Sequence, residues 1–331
     1  MLPTFPWHAT PLFMTTILYM NVKTAAQKWN LTERRVRILC SEGRVDGVIR
    51  NGWAWNIPFG APKPKDGRQL RHIKNYDMRP GASNYAVLDS LKADFAKRKD
   101  DSGYILGTYR SLIRDFLSGA FAFEGEILTP MDLSSLFEGK IVGSLSFEHQ
   151  LLALNCRSIL LRMIQETGPG FPSMNLYFSE RKLKTLYCTM LQGIDDLTLG
   201  EYRKASIPAG GALDCKIFSI DQQMSILLYQ YEKEWGMLHP LVRSVFLFGE
   251  LMRIRPFGRY DVLFALVVLN CELIAGGYSL AVIDSSQIDE CKADLSLTQK
   301  RGNYQALIGL VEQSLVHSFS VLLQKEKKDD V

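Results

Sequence analysis

Residues 239–257 read HPLVRSVFLFGELMRIRPF, from His239 to Phe257, and decide the fold class. Apolar side chains recur there at spacings of three and four, so the run from Pro240 to Met252 is expected to be a helix. Phe257 is followed at once by Gly258 and Arg259, a short break, and then Tyr260 to Ala275 repeats the same periodicity. Leu263, Leu266, Val267 and Leu273 are expected in the core. The same period marks Leu112 to Phe121, Ser146 to Gln165, Ser179 to Gln192, Asp221 to Trp235 and Tyr304 to Leu323, with few strand signals between them. A mainly α-helical bundle over residues 101–331 follows.

The chain is 331 residues long, beyond the usual span of one domain, and its charge is uneven. Residues 21–75 carry 12 Lys or Arg against 4 Asp or Glu, residues 1–20 carry none, and the whole chain is +4, so the remainder is acidic. A basic head on an acidic body is the pattern expected when only the head meets a polyanion. The six cysteines form no CxxC pair, which speaks against a zinc or redox motif and for buried thiols in a reducing compartment. Pro11 to Met20 is apolar but has no preceding Lys or Arg, and Val262 to Leu269 is far too short to span a bilayer. The reading is a cytoplasmic protein with no membrane partner, in which residues 1–13 are a loose extension or translation begins at Met14.

Within the basic head, Val22, Ala25, Ala26 and Trp29 form one apolar stripe, Asn30 and Leu31 break it, and Thr32 is placed to cap a second short helix that ends near Gly43. Asn51-Gly52 then signals a two-residue hairpin flanked by Val48 and Ile49 and by Trp53, Trp55 and Ile57. Helix, turn, helix and hairpin over residues 14–70 read as a winged helix-turn-helix. Thr32, Glu33, Arg34, Arg35 and Arg37 are expected on the exposed side of the second helix and Arg50 at the tip of the wing, where guanidinium groups meet phosphates or guanine edges. The run VKTAAQKWNLTERRVRILCSEGRVDGVIRNGWAWNIP, with KPKDGR after it, resembles the excisionase/MerR-like winged helix-turn-helix family, which implies DNA binding. Some members hold proteins instead, so an antitoxin-like interaction module stays open. Residues 71–100 are expected to be a polar linker with a surface helix over Asp89 to Lys99.

Three blocks of the helical region resemble the Fic family, whose enzymes transfer AMP from ATP to a protein hydroxyl. Phe123-Glu-Gly-Glu-Ile-Leu-Thr129, carrying Glu124 and Gly125, is similar to the family's inhibitory helix. Gly200-Glu-Tyr-Arg203, with Ile207 and Gly210, is similar to the edge of the small β-hairpin flap that aligns substrate. His239 to Phe257 runs into the family's catalytic motif. The resemblance implies a general-base His where this chain has Arg255, followed by the matching Pro256 and Phe257. A guanidinium stays protonated and accepts no proton. With Gly258 and Arg259 next, about four residues of the phosphate loop are missing, together with the acidic metal ligand. The motif's second Arg falls at Val262, which leaves Glu124 without the partner the family gives it, and Glu126 replaces the usual Asn. Arg255 and Arg259 are expected to pair with Glu250 or Asp261 or to face solvent, and His239 to be structural. These readings converge on a DNA-binding regulator, possible as a homodimer or with a partner protein, whose Fic-like body is catalytically degenerate and takes no cofactor or metal. A divergent nucleotidyltransferase using ATP and Mg²⁺ is the competing reading.

Overall fold

The computed structural model of the chain describes residues 18–41, 45, 47–52, 54–64, 84–97, 102–167, 177–194, 200–204 and 219–324. Met14, Gly43, Trp53, Lys65 to Arg68, residues 71–83, Ile207, Gly210, Cys215 and the 325–330 tail lie outside the described residues. The chain divides into two compact units, Met1–Arg68 and Gln69–Val331.

The first unit holds β1 (Tyr19–Met20), α1 (Val22–Trp29), α2 (Glu33–Ser41), β2 (Ile49–Asn51) and β3 (Ala54–Pro58). Asn21 caps α1 by accepting the Thr24 amide at 2.8 Å, and Asn30 ends it in the left-handed region at φ 52°. Thr32 Oγ1 accepts the Arg35 amide at 3.3 Å, so it caps α2. Val22, Ala25, Ala26 and Trp29 of α1 meet Val36, Leu39 and Cys40 of α2 in a small core closed by Met20, Val45, Ile57 and Ala61. The strands form an antiparallel sheet in the order β1-β3-β2. Strand β1, which pairs Met20 with Ile57, is an element that hydrophobic periodicity does not announce. The hairpin turn sits one residue later than Asn51-Gly52 suggests. Asn51 pairs with Ala54, so Gly52 leads the turn, at φ +57°, where a glycine meets no Cβ penalty.

The second unit is helical: α3 (Ala86–Ala96), α4 (Ser102–Glu124), α5 (Pro130–Phe137), α6 (Phe147–Thr167), α7 (Glu180–Met190), α8 (Ile220–Lys233), α9 (Pro240–Ile254), α10 (Asp261–Ala275), α11 (Ile288–Arg301) and α12 (Gln305–Gln324). Helices α5 and α11 are additions to the periodic segments. Thr129 and Asp132 form a reciprocal capping box at the start of α5, with Pro130 at its first position. Helix α3 is more than a surface helix: Leu88 and Phe95 are buried in the main core, and the Lys92 ammonium donates to the Gly276 carbonyl at 2.6 Å. Asp89 accepts from Tyr278 at 2.5 Å and lies 3.2 Å from His239 Nε2, while His239 Nδ1 accepts the Leu241 amide at the head of α9. His239 is thus a helix cap tied to α3. The three strands all fall in the first unit. The expected flap hairpin is described only over residues 200–204, which form no strand.

Helices α9 and α10 occupy the centre. Every residue of α10 is buried, and in α9 only Pro240 and Arg253 are partly exposed. Their polar side chains are met internally. Arg243 donates to Glu272 at 2.6 Å, and Tyr231 donates to the other Glu272 oxygen at 2.7 Å. Burial pushes the Glu272 carboxyl up, with Arg243 opposing it. Glu250 pairs with Arg253 at 2.8 Å and Arg253 donates to Gln223 at 2.9 Å. Cys40, Cys156, Cys271 and Cys291 are buried and Cys188 half-buried, all as free thiols. Among the described residues one helix, over Gln305–Leu323, is long and apolar enough to cross a membrane, and half of it is buried inside the unit.

Gly119 on α4 lets that helix touch the chain after α10: an added Cβ would lie 1.9 Å from the Ile283 carbonyl oxygen. Gly119→Ala is expected to destabilise the fold by about 1–3 kcal/mol through overpacking against backbone. Gly107→Ala on the same helix meets nothing within 4 Å and is expected to stabilise by roughly 0.5–1 kcal/mol. Urea unfolding of the two variants reads the contrast, and equal midpoints would contradict the close approach.

Candidate functional site

The connection between α9 and α10 is the point at which the sequence motif becomes geometry. Arg255 ends α9 at φ 48°, its amide donating to the Leu251 carbonyl at 2.8 Å, and Tyr260 opens α10 at φ 51°. Two non-glycine residues in the left-handed region, with Gly258 at φ +88° between them, fold the six-residue link tightly. Tyr260 supplies no side-chain cap to α10.

Two carboxylates take the amides this turn leaves over. Asp261 accepts from the Phe257 amide at 3.0 Å and the Gly258 amide at 2.6 Å. Glu124 Oε1 accepts from the Val262 amide at 3.1 Å and the Leu263 amide at 3.0 Å, so it caps α10 from the end of another helix. A helix N-terminus favours negative charge because its first amides have no partner in the helix and its dipole is positive there. Gly125, at φ +93°, turns the chain directly after Glu124. The Glu126 amide donates back to the Phe121 carbonyl at 2.9 Å, which fixes the end of α4.

The rim of the site is also paired. Arg203 Nε donates to the Arg255 carbonyl at 2.6 Å and its Nη2 to the Ile254 carbonyl at 2.9 Å, meeting the C-terminal carbonyls of α9. The Arg203 amide donates to the Pro256 carbonyl at 2.8 Å, so the 200–204 segment runs beside the turn. Phe257 stacks on Tyr187 with ring centroids 3.8 Å apart, and the Tyr187 hydroxyl donates to the Arg259 carbonyl at 3.0 Å. Glu148, at the start of α6, accepts from both Arg259 and the Tyr260 hydroxyl. Burial, with Glu148 beside it, pushes the Tyr260 phenol up to about 12.

The expected residues are met as follows. Glu124 has Val262 and no guanidinium opposite, and its carboxylate binds the backbone amides that the helix start exposes. Arg259 pairs with Glu148 rather than with Glu250 or Asp261. Glu250 is taken by Arg253 and Asp261 by the loop amides. The Arg255 side chain is exposed and makes no hydrogen bond or ion pair among the described residues. Pro256 and Phe257 are buried and Gly258 is exposed. Glu126 lies 3.7 Å from His149. Among the described residues no three His, Cys, Asp or Glu side chains gather as a metal site. Glu148 and Tyr187 carry no sequence signal for this role, since they reach the turn only through packing of α6 and α7.

In the first unit, Arg34 and Arg37 are exposed and Arg35 half-buried on α2. Arg37 pairs with Glu33 at 2.8 Å, a solvated contact one helical turn long. Arg50 lies in β2 beside the turn, 5.2 Å over the Trp55 ring, with its Nε 3.2 Å from the Gly52 carbonyl.

Helical layout and central hairpin match solved structures. Fic-1 from C. elegans superposes with a TM-score of 0.61 at 13% identity over 73% of this chain and 72% of that one. The fold is a Fic fold. A Fic-domain-containing signaling protein from Bacteroides thetaiotaomicron matches with a TM-score of 0.56 at 19% identity, over 72% of this chain and 97% of that one. A Fic family protein from Desulfovibrio desulfuricans gives 0.54 at 15%, over 76% and 78%. No protein-family model matches the sequence, and no curated protein matches it.

The cap across helices is testable. Glu124→Ala leaves two amides without their acceptor and is expected to cost about 1–3 kcal/mol in urea unfolding, whereas Glu124→Gln retains most of the stability. An Ala variant as stable as the native chain would show that the carboxylate is not the cap. Asp261 adds a pH signature. Burial raises its carboxyl from 3.8 to about 6, against the pull of the Phe257 and Gly258 amides and the charges of Arg203 and Arg255. A carboxyl whose value is higher folded than unfolded favours the fold when neutral. Its contribution is therefore complete below about pH 4 and is lost as the pH rises through about 6, on the order of 2–3 kcal/mol. Unfolding free energies across that window should show the decline in the native chain and not in Asp261→Asn. A constant difference between the two would refute it.

Proposed function

We propose that the chain is a DNA-binding regulator. Its first unit contacts DNA as a winged helix-turn-helix, and its Fic-like unit performs no AMP transfer, serving dimerisation, ligand sensing or partner binding. The reading rests on one observation above others: α2 and the hairpin after it carry Arg34, Arg35, Arg37 and Arg50 on a unit with its own core, in the most basic stretch of the chain. Arginines on a short second helix and on the following hairpin suit phosphate and groove contacts.

Chemistry at the α9–α10 turn speaks against transfer. Arg255 cannot act as a base, and the amides that would cradle a phosphate are already bonded to Asp261 and Glu124. A nucleotide would have to displace two internal carboxylates to reach them. The protein is proposed to work in the cytoplasm. Doubling the small DNA module in a homodimer would raise its affinity through effective concentration.

Fluorescence anisotropy with DNA from the gene's own upstream region, at about 50 and 200 mM salt, tests the reading. Binding should weaken steeply with salt. The triple variant Arg34→Ala, Arg35→Ala, Arg37→Ala should lose at least about tenfold in affinity, and its log–log salt slope should fall by roughly 2–3. Binding indifferent to the variant would move the first unit to protein recognition. In parallel, calorimetry with ATP and Mg²⁺ is expected to give no saturable heat, and saturable binding with label transfer to protein would overturn the degenerate reading.

A further inference from the structure

Four of the seven large apolar side chains left exposed among the described residues of the second unit lie between residues 127 and 147. Ile127, Met131, Ile141 and Phe147 are 82%, 76%, 89% and 78% exposed. Contacts on the page gather them round the first turn of α6, of which Phe147 is the first residue. Glu126, beside Ile127, lies 3.7 Å from His149 of that turn, and the His149 ring meets Phe121 of α4 with centroids 5.9 Å apart. Gln150 accepts the Val142 amide at 3.1 Å and donates to the Val142 and Leu145 carbonyls at 3.0 Å, which draws Ile141 to the same turn. Met131 stands four residues after Ile127 in the first turn of α5, and α5 packs on both α4 and α6. The same stretch sends Leu128, Leu133, Leu136 and Val142 inward, so the core is filled without the four exposed residues.

Together the four side chains expose on the order of 600 Å² of largely apolar surface, at the upper end of what a monomeric soluble protein leaves in one patch and close to the roughly 800 Å² per partner of a standard interface. The charges round them are of both signs. Lys140 pairs with Glu138 at 2.7 Å, Arg259 pairs with Glu148, and Glu126 adds a further carboxylate. A uniformly acidic or basic partner would leave one sign unmatched. A second copy related by a two-fold axis meets each sign with the other, because the same patch faces itself in the opposite sense. We propose that this surface, round the first turn of α6, is where a second copy of the chain docks. The inference rests on the homodimer in the regulatory reading and assigns its contact surface, and it does not depend on DNA binding.

Sedimentation velocity of the full chain from about 1 to 50 µM tests the surface. The native chain should pass from one to two chain masses of 37.5 kDa across that range. Phe147→Asp and Ile127→Asp should each weaken association at least about tenfold, since a charge is then buried against an apolar neighbour. Both should melt as the native chain does under dilute conditions. Asp is favoured at a helix start, where position 147 lies, and position 127 lies outside any helix. Met237→Asp is the control. Met237 is exposed just before α9, roughly 22 Å along that helix from the α9–α10 turn, and its variant should associate like the native chain. A single chain mass throughout, Asp variants at 127 and 147 that associate normally, or an equal loss in Met237→Asp would each overturn the proposal. A native dimer that ignores DNA would support this surface and overturn the DNA-binding reading. DNA binding by a chain that stays a monomer would do the reverse.

Discussion

Helices α9 and α10 have almost no face toward water, and that constraint organises the second unit. A buried polar group without a partner costs more than an ordinary hydrogen bond contributes, so each one on this hairpin has to be met from inside. Arg243 and Glu272 bridge the two helices, and Tyr231 from α8 takes the remaining Glu272 oxygen while its own oxygen accepts the Tyr177 and Phe178 amides. Asn270 accepts the Ala281 amide and donates to the Ala281 carbonyl, which holds the chain that leaves α10. The outer helices are where they are partly because they deliver these partners.

The turn between the two helices obeys the same rule. A tight link followed by a buried helix start leaves the amides of residues 257, 258, 262 and 263 without partners inside the helix. Such a cluster attracts an anion. Here the anions are side chains: Asp261 from the helix itself and Glu124 from the end of α4. This cluster of amides is an internal cap, and the cap ties α4 to α10. With Val262 at the second position of α10, no cation competes for Glu124, and its carboxylate is free to take the amides of the helix start.

Much of the fold is legible in the residues. The helices over Leu112 to Phe121, Ser146 to Gln165 and Pro240 to Ala275 announce themselves by period, and Ser179 and Ser219 mark two helix starts by accepting amides three residues on. Helix α11 has the right spacing too, with Ile288, Cys291, Leu295 and Thr298 buried, but its many charges mask the stripe. Strand β1 is two residues long and exists only because β3 offers it an edge, so no local pattern reveals it. In the hairpin, Asn51-Gly52 correctly indicates a turn and misses its position by one residue, since strand register depends on which side chains the core accepts. At the turn, Arg255 and the short link after it are visible as letters. That Glu148 holds Arg259 is not, because the two are 111 residues apart.

By itself the sequence determined the period of the helices, the basic first unit, the guanidinium of Arg255 and the short link after Phe257. Those are properties of single residues and their neighbours, and local chemistry is enough to read them. Only the tertiary structure decided what the carboxylates do. Glu124, Asp261 and Glu148 are ordinary acids in the chain, and their roles follow from which unsatisfied amides and guanidinium groups packing brings within about 3 Å, a distance that hydrogen bonding requires and sequence spacing does not specify.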